Sequence, residues 1–138
     1  MTHYKPSEPY QAAFAANFGP RANVIVIGSI PVDATQFKVN LMNSKTDDIH
    51  FHLNPRFKDG LVVRNTKRDG SWGRQESHTP LMPFQPGQSF VIEIKNEGDA
   101  LTVHVNEKKL FSYAHRLPFN EIDVLVVGGD VNLTCIEF

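Results

Sequence analysis

Ser89-Phe90-Val91-Ile92-Glu93-Ile94-Lys95 is followed, across the polar stretch Asn96 to Asp99, by Leu101-Thr102-Val103-His104-Val105-Asn106. Phe90, Ile92 and Ile94 alternate with Ser89, Glu93 and Lys95, and Leu101, Val103 and Val105 alternate with Thr102, His104 and Asn106. Successive side chains of a strand point to opposite faces, so each run has one apolar face and one wet face. Phe37, Val39 and Leu41 set against Lys38, Asn40 and Met42 repeat the pattern, and no apolar stripe at helical spacing exceeds two turns. Gly19-Pro20, Asp59-Gly60, Asp69-Gly70 and Pro86-Gly87 punctuate the runs at turn spacing, which gives about ten or eleven strands. One-sided apolar faces must cover one another where no helices intervene, so the fold expected is all-β, two antiparallel sheets packed as a β-sandwich. Arg116 to Glu121 is weakly helical and limited to a turn by Pro118. The first dozen residues, with Pro6 and Pro9, are expected as a loosely held arm.

At 138 residues, 41% hydrophobic and 21% charged, the chain fits one domain able to bury its own core. Lys plus Arg number 14 against 15 Asp plus Glu, a formal charge of −1, so no general positive field exists to hold a nucleic acid. Apolar stretches such as Val24 to Ile27 are far below the roughly 20 residues of a membrane span, which argues against membrane insertion. The opening residues lack the pattern of a secretory signal, which gives the expectation of a protein made in the cytosol. A single cysteine, Cys135, excludes a disulfide framework or a structural zinc site and reads as a small buried hydrophobe.

One strand carries more polarity than solvation requires. In Ile49-His50-Phe51-His52-Leu53-Asn54-Pro55-Arg56-Phe57, Phe51 and Leu53 point one way and His50, His52, Asn54 and Arg56 the other. Asn65 follows two valines on the next run, and Trp72, the one tryptophan, comes a turn later with Glu76 close behind. Imidazole, amide, guanidinium and carboxylate give oriented donors and acceptors for hydroxyls, and a flat indole suits the C–H face of a pyranose. The set points to a sugar site. A metal centre beginning at His50 and His52 would want a carboxylate where Asn54-Pro55-Arg56 stands, and a glycoside hydrolase would want two carboxylates about 5 to 9.5 Å apart. An interaction surface without sugar binding is the remaining alternative. His3 and His115 read as ordinary polar residues, Lys108-Lys109 as a solvated hairpin, and Asn132-Leu133-Thr134 as an unused glycosylation pattern inside a strand.

His52-x-Asn54-Pro55-Arg56, Val63-x-Asn65 and Trp72-Gly73, in that order, resemble the galectin family, with Phe37-x-x-Asn40-Leu41, Pro83-Phe84-x-x-Gly87 and Gly128-Gly129-Asp130-Val131 extending the resemblance. It covers roughly residues 10 to 138 and is closest to invertebrate members. It implies a jelly-roll sandwich of galectin and legume-lectin type, residues 1–9 forming an N-terminal arm and 10–138 a single carbohydrate-recognition domain, with no metal, cofactor or catalysis. Its implied partners are β-galactosides, as lactose or N-acetyllactosamine-type glycans on glycoproteins or glycolipids. His52, Asn54 and Arg56 would bind the axial 4-hydroxyl of galactose, Asn65 the 6-hydroxyl, Trp72 the apolar face, and Val63 would shape the floor. The family also implies cytosolic residence with export lacking a signal peptide, and cross-linking through a homodimer or a second linked domain.

The chain departs from the pattern after Trp72, where Gln75 holds the position at which the family has glutamate. The distance from Trp72 to Pro83 is one residue longer than in familiar members. An insertion would put Glu76 in the glutamate's role and His78 in that of the following arginine, and Arg56 on a partly desolvated face wants a carboxylate partner such as Glu76. Gln36, Lys38 and Asn40, with His50, Gln75 and His78, would form an extended subsite beyond the galactose.

Overall fold

The alternating runs all become strands in a computed structural model, which describes residues 1–4, 9–16 and 18–138. Among these residues there are twelve: β1 Thr2–Tyr4, β2 Tyr10–Ala13, β3 Asn23–Ser29, β4 Phe37–Met42, β5 Ile49–Arg56, β6 Leu61–Arg68, β7 Ser71–Trp72, β8 Ser89–Asn96, β9 Ala100–Val105, β10 Lys108–Ala114, β11 Val124–Gly129 and β12 Asn132–Glu137. They form two six-stranded sheets, ordered β2-β11-β4-β5-β6-β7 and β1-β12-β3-β8-β9-β10. Every pairing is antiparallel. The segment limited by Pro118 is a single 3-10 turn, Phe119–Glu121.

The inner faces match the alternation. Phe37, Val39 and Leu41 of β4, Phe51 and Leu53 of β5, Phe90, Ile92 and Ile94 of β8, and Leu101, Val103 and Val105 of β9 are all buried in one core. Phe37 stacks on Phe90 of the other sheet at 5.3 Å and meets Phe84 edge-on at 5.5 Å, which locks the start of β4 across the sandwich. Asn106 and Glu107 both take left-handed conformations in the two-residue turn of the β9–β10 hairpin, so Lys108 and Lys109 open a strand. Cys135 is buried and free.

The opening residues correct the expectation of a loose arm. Thr2 and Tyr4 pair with Glu137 and Cys135 of β12, and Tyr10 pairs with Val127 of β11 and enters the core. His3 stacks on Phe138 at 5.5 Å and meets Tyr10 edge-on at 5.6 Å. Aromatic anchors at the strand edges hold segments too short to show alternation. Pro6, the other residue behind that expectation, lies outside the described residues.

The β11–β12 corner fixes the entry to β4. Gly129 has φ +91°, and a Cβ there would meet Phe37 Cα at 2.8 Å and Gln36 O at 2.9 Å. The adjoining Asp130 carboxylate accepts bonds from the Thr35 amide and hydroxyl, each at 2.9 Å. Gly129→Ala therefore meets both a disfavoured φ and a backbone clash, and should lower unfolding free energy by about 1–3 kcal/mol. Urea denaturation with an unchanged midpoint would contradict this account of the corner.

Candidate functional site

Phe51 and Leu53 are fully buried between the sheets, so the intervening and following residues His52, Asn54 and Arg56 face outward. Strand register sets the neighbours: Asn40 of β4 and Asn65 of β6 lie opposite His52, and Val63 lies opposite Asn54. β7 places Trp72 opposite Lys67 at the sheet's edge. Two shallow depressions result. One, of about 420 Å³, is lined by Gln36, Lys38, His52, Asn54 and Arg56, and the other, of about 300 Å³, by His52, Arg56, Val63, Asn65, Trp72 and Gln75. His52 and Arg56 belong to both, so the two join as one groove.

Hydrogen bonds beneath the groove fix which atoms it offers. His52 Nδ1 lies 2.6 Å from Asn40 Oδ1, and an amide oxygen only accepts, so Nδ1 carries the proton and Nε2 keeps its lone pair. Burial pushes the His52 imidazole down to about 4, helped by the charges of Lys38 and Arg56 and opposed by a hydrogen bond with Asn54. The ring is therefore neutral at pH 7. Asn54 Nδ2 donates to Phe37 O at 2.7 Å and to Gln36 Oε1 at 3.1 Å, while its Oδ1 accepts Arg56 Nε at 2.8 Å. The terminal guanidinium nitrogens of Arg56 stay available to the groove. Trp72 is 47% exposed, its ring 4.8 Å from that of His52 and inclined to it by 51°. Polar donors and acceptors thus stand beside an open aromatic face. Among the described residues, no group of three or more His, Cys, Asp or Glu side chains is placed to hold a metal ion.

Three expectations need correction. The Arg56–Glu76 pair does not form: Glu76 Oε2 accepts Arg116 Nη2 at 2.8 Å, and Arg56 has no ion-pair partner among the described residues. The reason is register. Glu76 pairs with Arg64, whose guanidinium lies over Phe111 of the other sheet, so Glu76 leaves the groove face and Gln75 takes it. His50 does not share the face of His52. β5 carries one more residue than β4 between Ile49 and Phe51, and at this bulge His50 is 5% exposed with Nδ1 unpartnered. The carboxylates acting on it are Glu121, Asp48 and Asp123, and it lines neither depression. His78 is exposed and outside the groove, contributing its carbonyl to Arg64 Nη1 at 2.9 Å.

The sequence reading missed Arg116. From the turn after β10 it donates to Asn65 Oδ1 at 3.0 Å, Arg74 O at 2.7 Å and Glu76 Oε2 at 2.8 Å. One arginine in a turn carries no periodic or motif signal, and its partners are 40 to 51 residues away in sequence.

Burial lowers the proton affinity of His50, His52 and His115 below the ordinary imidazole value. The unfolded chain then binds more protons than the folded one between about pH 6.5 and 4, so stability falls as pH drops through that window. An NMR titration should place the His52 midpoint near 4, and a midpoint near 6.5 would refute its desolvated, Asn40-bonded state.

Comparison with known proteins gives concordant results. The sequence profile of the galactoside-binding lectin family matches residues 9–138. The chain is 36% identical over 135 residues to Galectin-4 of Homo sapiens, covering 97% of this chain and 42% of that protein. It is also 36% identical over 129 residues to the 32 kDa beta-galactoside-binding lectin of Haemonchus contortus, covering 94% of this chain and 45% of that one. The chain thus spans less than half the length of these relatives. Its fold is similar to the crystal structure of Caenorhabditis elegans galectin LEC-6, with TM-score 0.91 and 24% identity over 99% of this chain and 94% of that one.

Proposed function

The chain belongs to the galactoside-binding lectin family, the galectins, and from that premise we propose that its groove binds β-galactosides of the lactose and N-acetyllactosamine type without a metal. The observation that carries this reading is a neutral imidazole acceptor and guanidinium donors set beside an exposed indole. A hydroxyl donates one hydrogen and accepts two, so an axial 4-hydroxyl between them would donate to His52 Nε2 and accept from Arg56. The same sugar presents its C3, C4 and C5 hydrogens to Trp72, while Asn65 would meet the 6-hydroxyl and Val63 the floor. Asn54 would act chiefly by holding Arg56 through Oδ1. Among the described residues no carboxylate lines either depression, which supports a binding groove over a hydrolytic one. Cross-linking of glycoproteins or glycolipids would need two grooves, from a homodimer or a linked second domain.

Calorimetry should detect lactose binding and no binding of cellobiose, whose equatorial 4-hydroxyl leaves His52 and Arg56 unpaired. Equal binding of the two disaccharides, or of neither, would overturn the proposal. Trp72→Leu should cost on the order of 1–3 kcal/mol of lactose affinity with the fold intact. A binding-neutral Trp72→Leu would remove the ring from the site.

Lys38 supports a finer specificity. It lines the depression of Asn54 and Arg56, and its charge acts on His52. An anionic substituent on the galactose 3-hydroxyl would face it, so 3′-sulfated lactose should bind roughly 2- to 5-fold more tightly than lactose, the worth of an exposed ion pair. The gain should vanish in Lys38→Ala and shrink with salt. A gain indifferent to both would assign the preference elsewhere.

A further inference from the structure

Arg116 comes from the chain that leaves the second sheet, yet its guanidinium ends against the groove sheet. Its Cζ lies 4.9 Å from the Tyr113 ring centroid, and Nη2 is held by Arg74 O at 2.7 Å and Glu76 Oε2 at 2.8 Å. Nη1 then reaches Asn65 Oδ1 at 3.0 Å. The approach needs Gly73: a Cβ there would stand 3.0 Å from Nη1 and 3.4 Å from Asn65 Oδ1. The guanidinium has little freedom to yield, because its other hydrogen bonds and the aromatic face already fix it.

This arrangement decides what Asn65 can do. Its Oδ1 accepts two hydrogen bonds, from Arg116 and from the Thr66 amide at 2.7 Å, which uses both lone pairs. Its Nδ2 donates one hydrogen to Gly73 O at 3.0 Å. One Nδ2 hydrogen remains for the groove. We infer that Arg116, anchored by Glu76, is a positioning residue that makes Asn65 a fixed hydrogen-bond donor, so the galactoside hydroxyl meeting Asn65 is recognised as an acceptor.

The inference rests on galactoside binding for its ligand and goes beyond it in assigning Arg116 and the direction of the Asn65 bond. It also gives Glu76 a role without contact to sugar: the carboxylate holds the arginine that holds the amide.

The test compares lactose with 6′-deoxylactose in wild type and in Arg116→Met, which keeps chain length and loses the donors. In wild type, removal of the 6′-hydroxyl should weaken binding about 10-fold, the scale of one hydrogen bond. In Arg116→Met lactose should weaken several-fold while 6′-deoxylactose is unchanged, and Arg116→Lys should restore part of the difference. Asn65→Ala should erase the difference in either background. Equal weakening of both ligands by Arg116→Met would make Arg116 a general scaffold residue and overturn the inference, as would no weakening of either. A ligand-free readout separates this from the galactoside reading: Arg116→Met should shift the Asn65 side-chain amide signal in NMR, and an unmoved signal would overturn the positioning role. Absence of lactose binding in wild type would refute the galactoside reading itself.

Discussion

Burial of Phe51 and Leu53 is the constraint on which the groove depends. Each is fully enclosed, Phe51 against Tyr113 of the other sheet at 4.9 Å, and removing such a side chain costs a few kcal/mol through lost transfer and an empty cavity. That cost prevents β5 from slipping by one residue, since a slip would carry both to solvent and bring His52 and Asn54 into the core. The outward direction of the polar row is thus fixed by residues that never touch it. Phe37, packed on Phe84 and Phe90, does the same for β4 and so for Gln36, Lys38 and Asn40.

Beneath the groove, polar groups hold each other before any ligand arrives. Asn40 is 3% exposed and spends its oxygen on His52, and Asn54 spends its amide hydrogens on Phe37 O and Gln36. Among the described residues Arg56 is held by a hydrogen bond from Nε to Asn54, which leaves its terminal nitrogens aimed by a neutral partner. With the Glu76 carboxylate drawn to Arg116, the groove face carries cations that no carboxylate lining it compensates among the described residues. Lys38 and Arg56 in turn help keep His52 neutral, so its acceptor role is maintained by its own neighbours.

Much of this was legible in the sequence because it lies within single strands or short spans. The His52, Asn54, Arg56 row follows from period two, and the exposed indole from a Trp just after an Asp69-Gly70 turn. What was not legible depends on pairing between strands. The bulge that turns His50 away is a property of the ladder β5 makes with β4, with no mark in β5 itself. Whether Gln75 or Glu76 meets the groove is decided by which of them pairs with Arg64, a one-residue question that flips the face. Arg116 is beyond reach for a third reason: it joins the site only because two sheets meet, across a sequence gap of 51 residues to Asn65.

As the proposed galactoside site, a groove of this kind would discriminate more strongly than it attracts. Each hydrogen bond made to a sugar replaces one made to water and nets about 0.5–1.5 kcal/mol, against several kcal/mol for immobilising the ligand. Trp72 would add contact area, but it is half-exposed, and both depressions are shallow. The penalties run the other way. A sugar whose hydroxyl points elsewhere still excludes water from His52 Nε2 and the Arg56 nitrogens while leaving them unpaired, and an unsatisfied group of this kind costs about 1–3 kcal/mol, more where it is charged. Fixing Arg56, His52 and Asn65 through Asn54, Asn40 and Arg116 raises that penalty, because none of the three can swing to find a substitute partner. If the groove binds galactosides as proposed, the supporting amides and Arg116 would act on selectivity first, and affinity sufficient to hold a glycan-bearing surface would have to come from engaging more than one groove at a time.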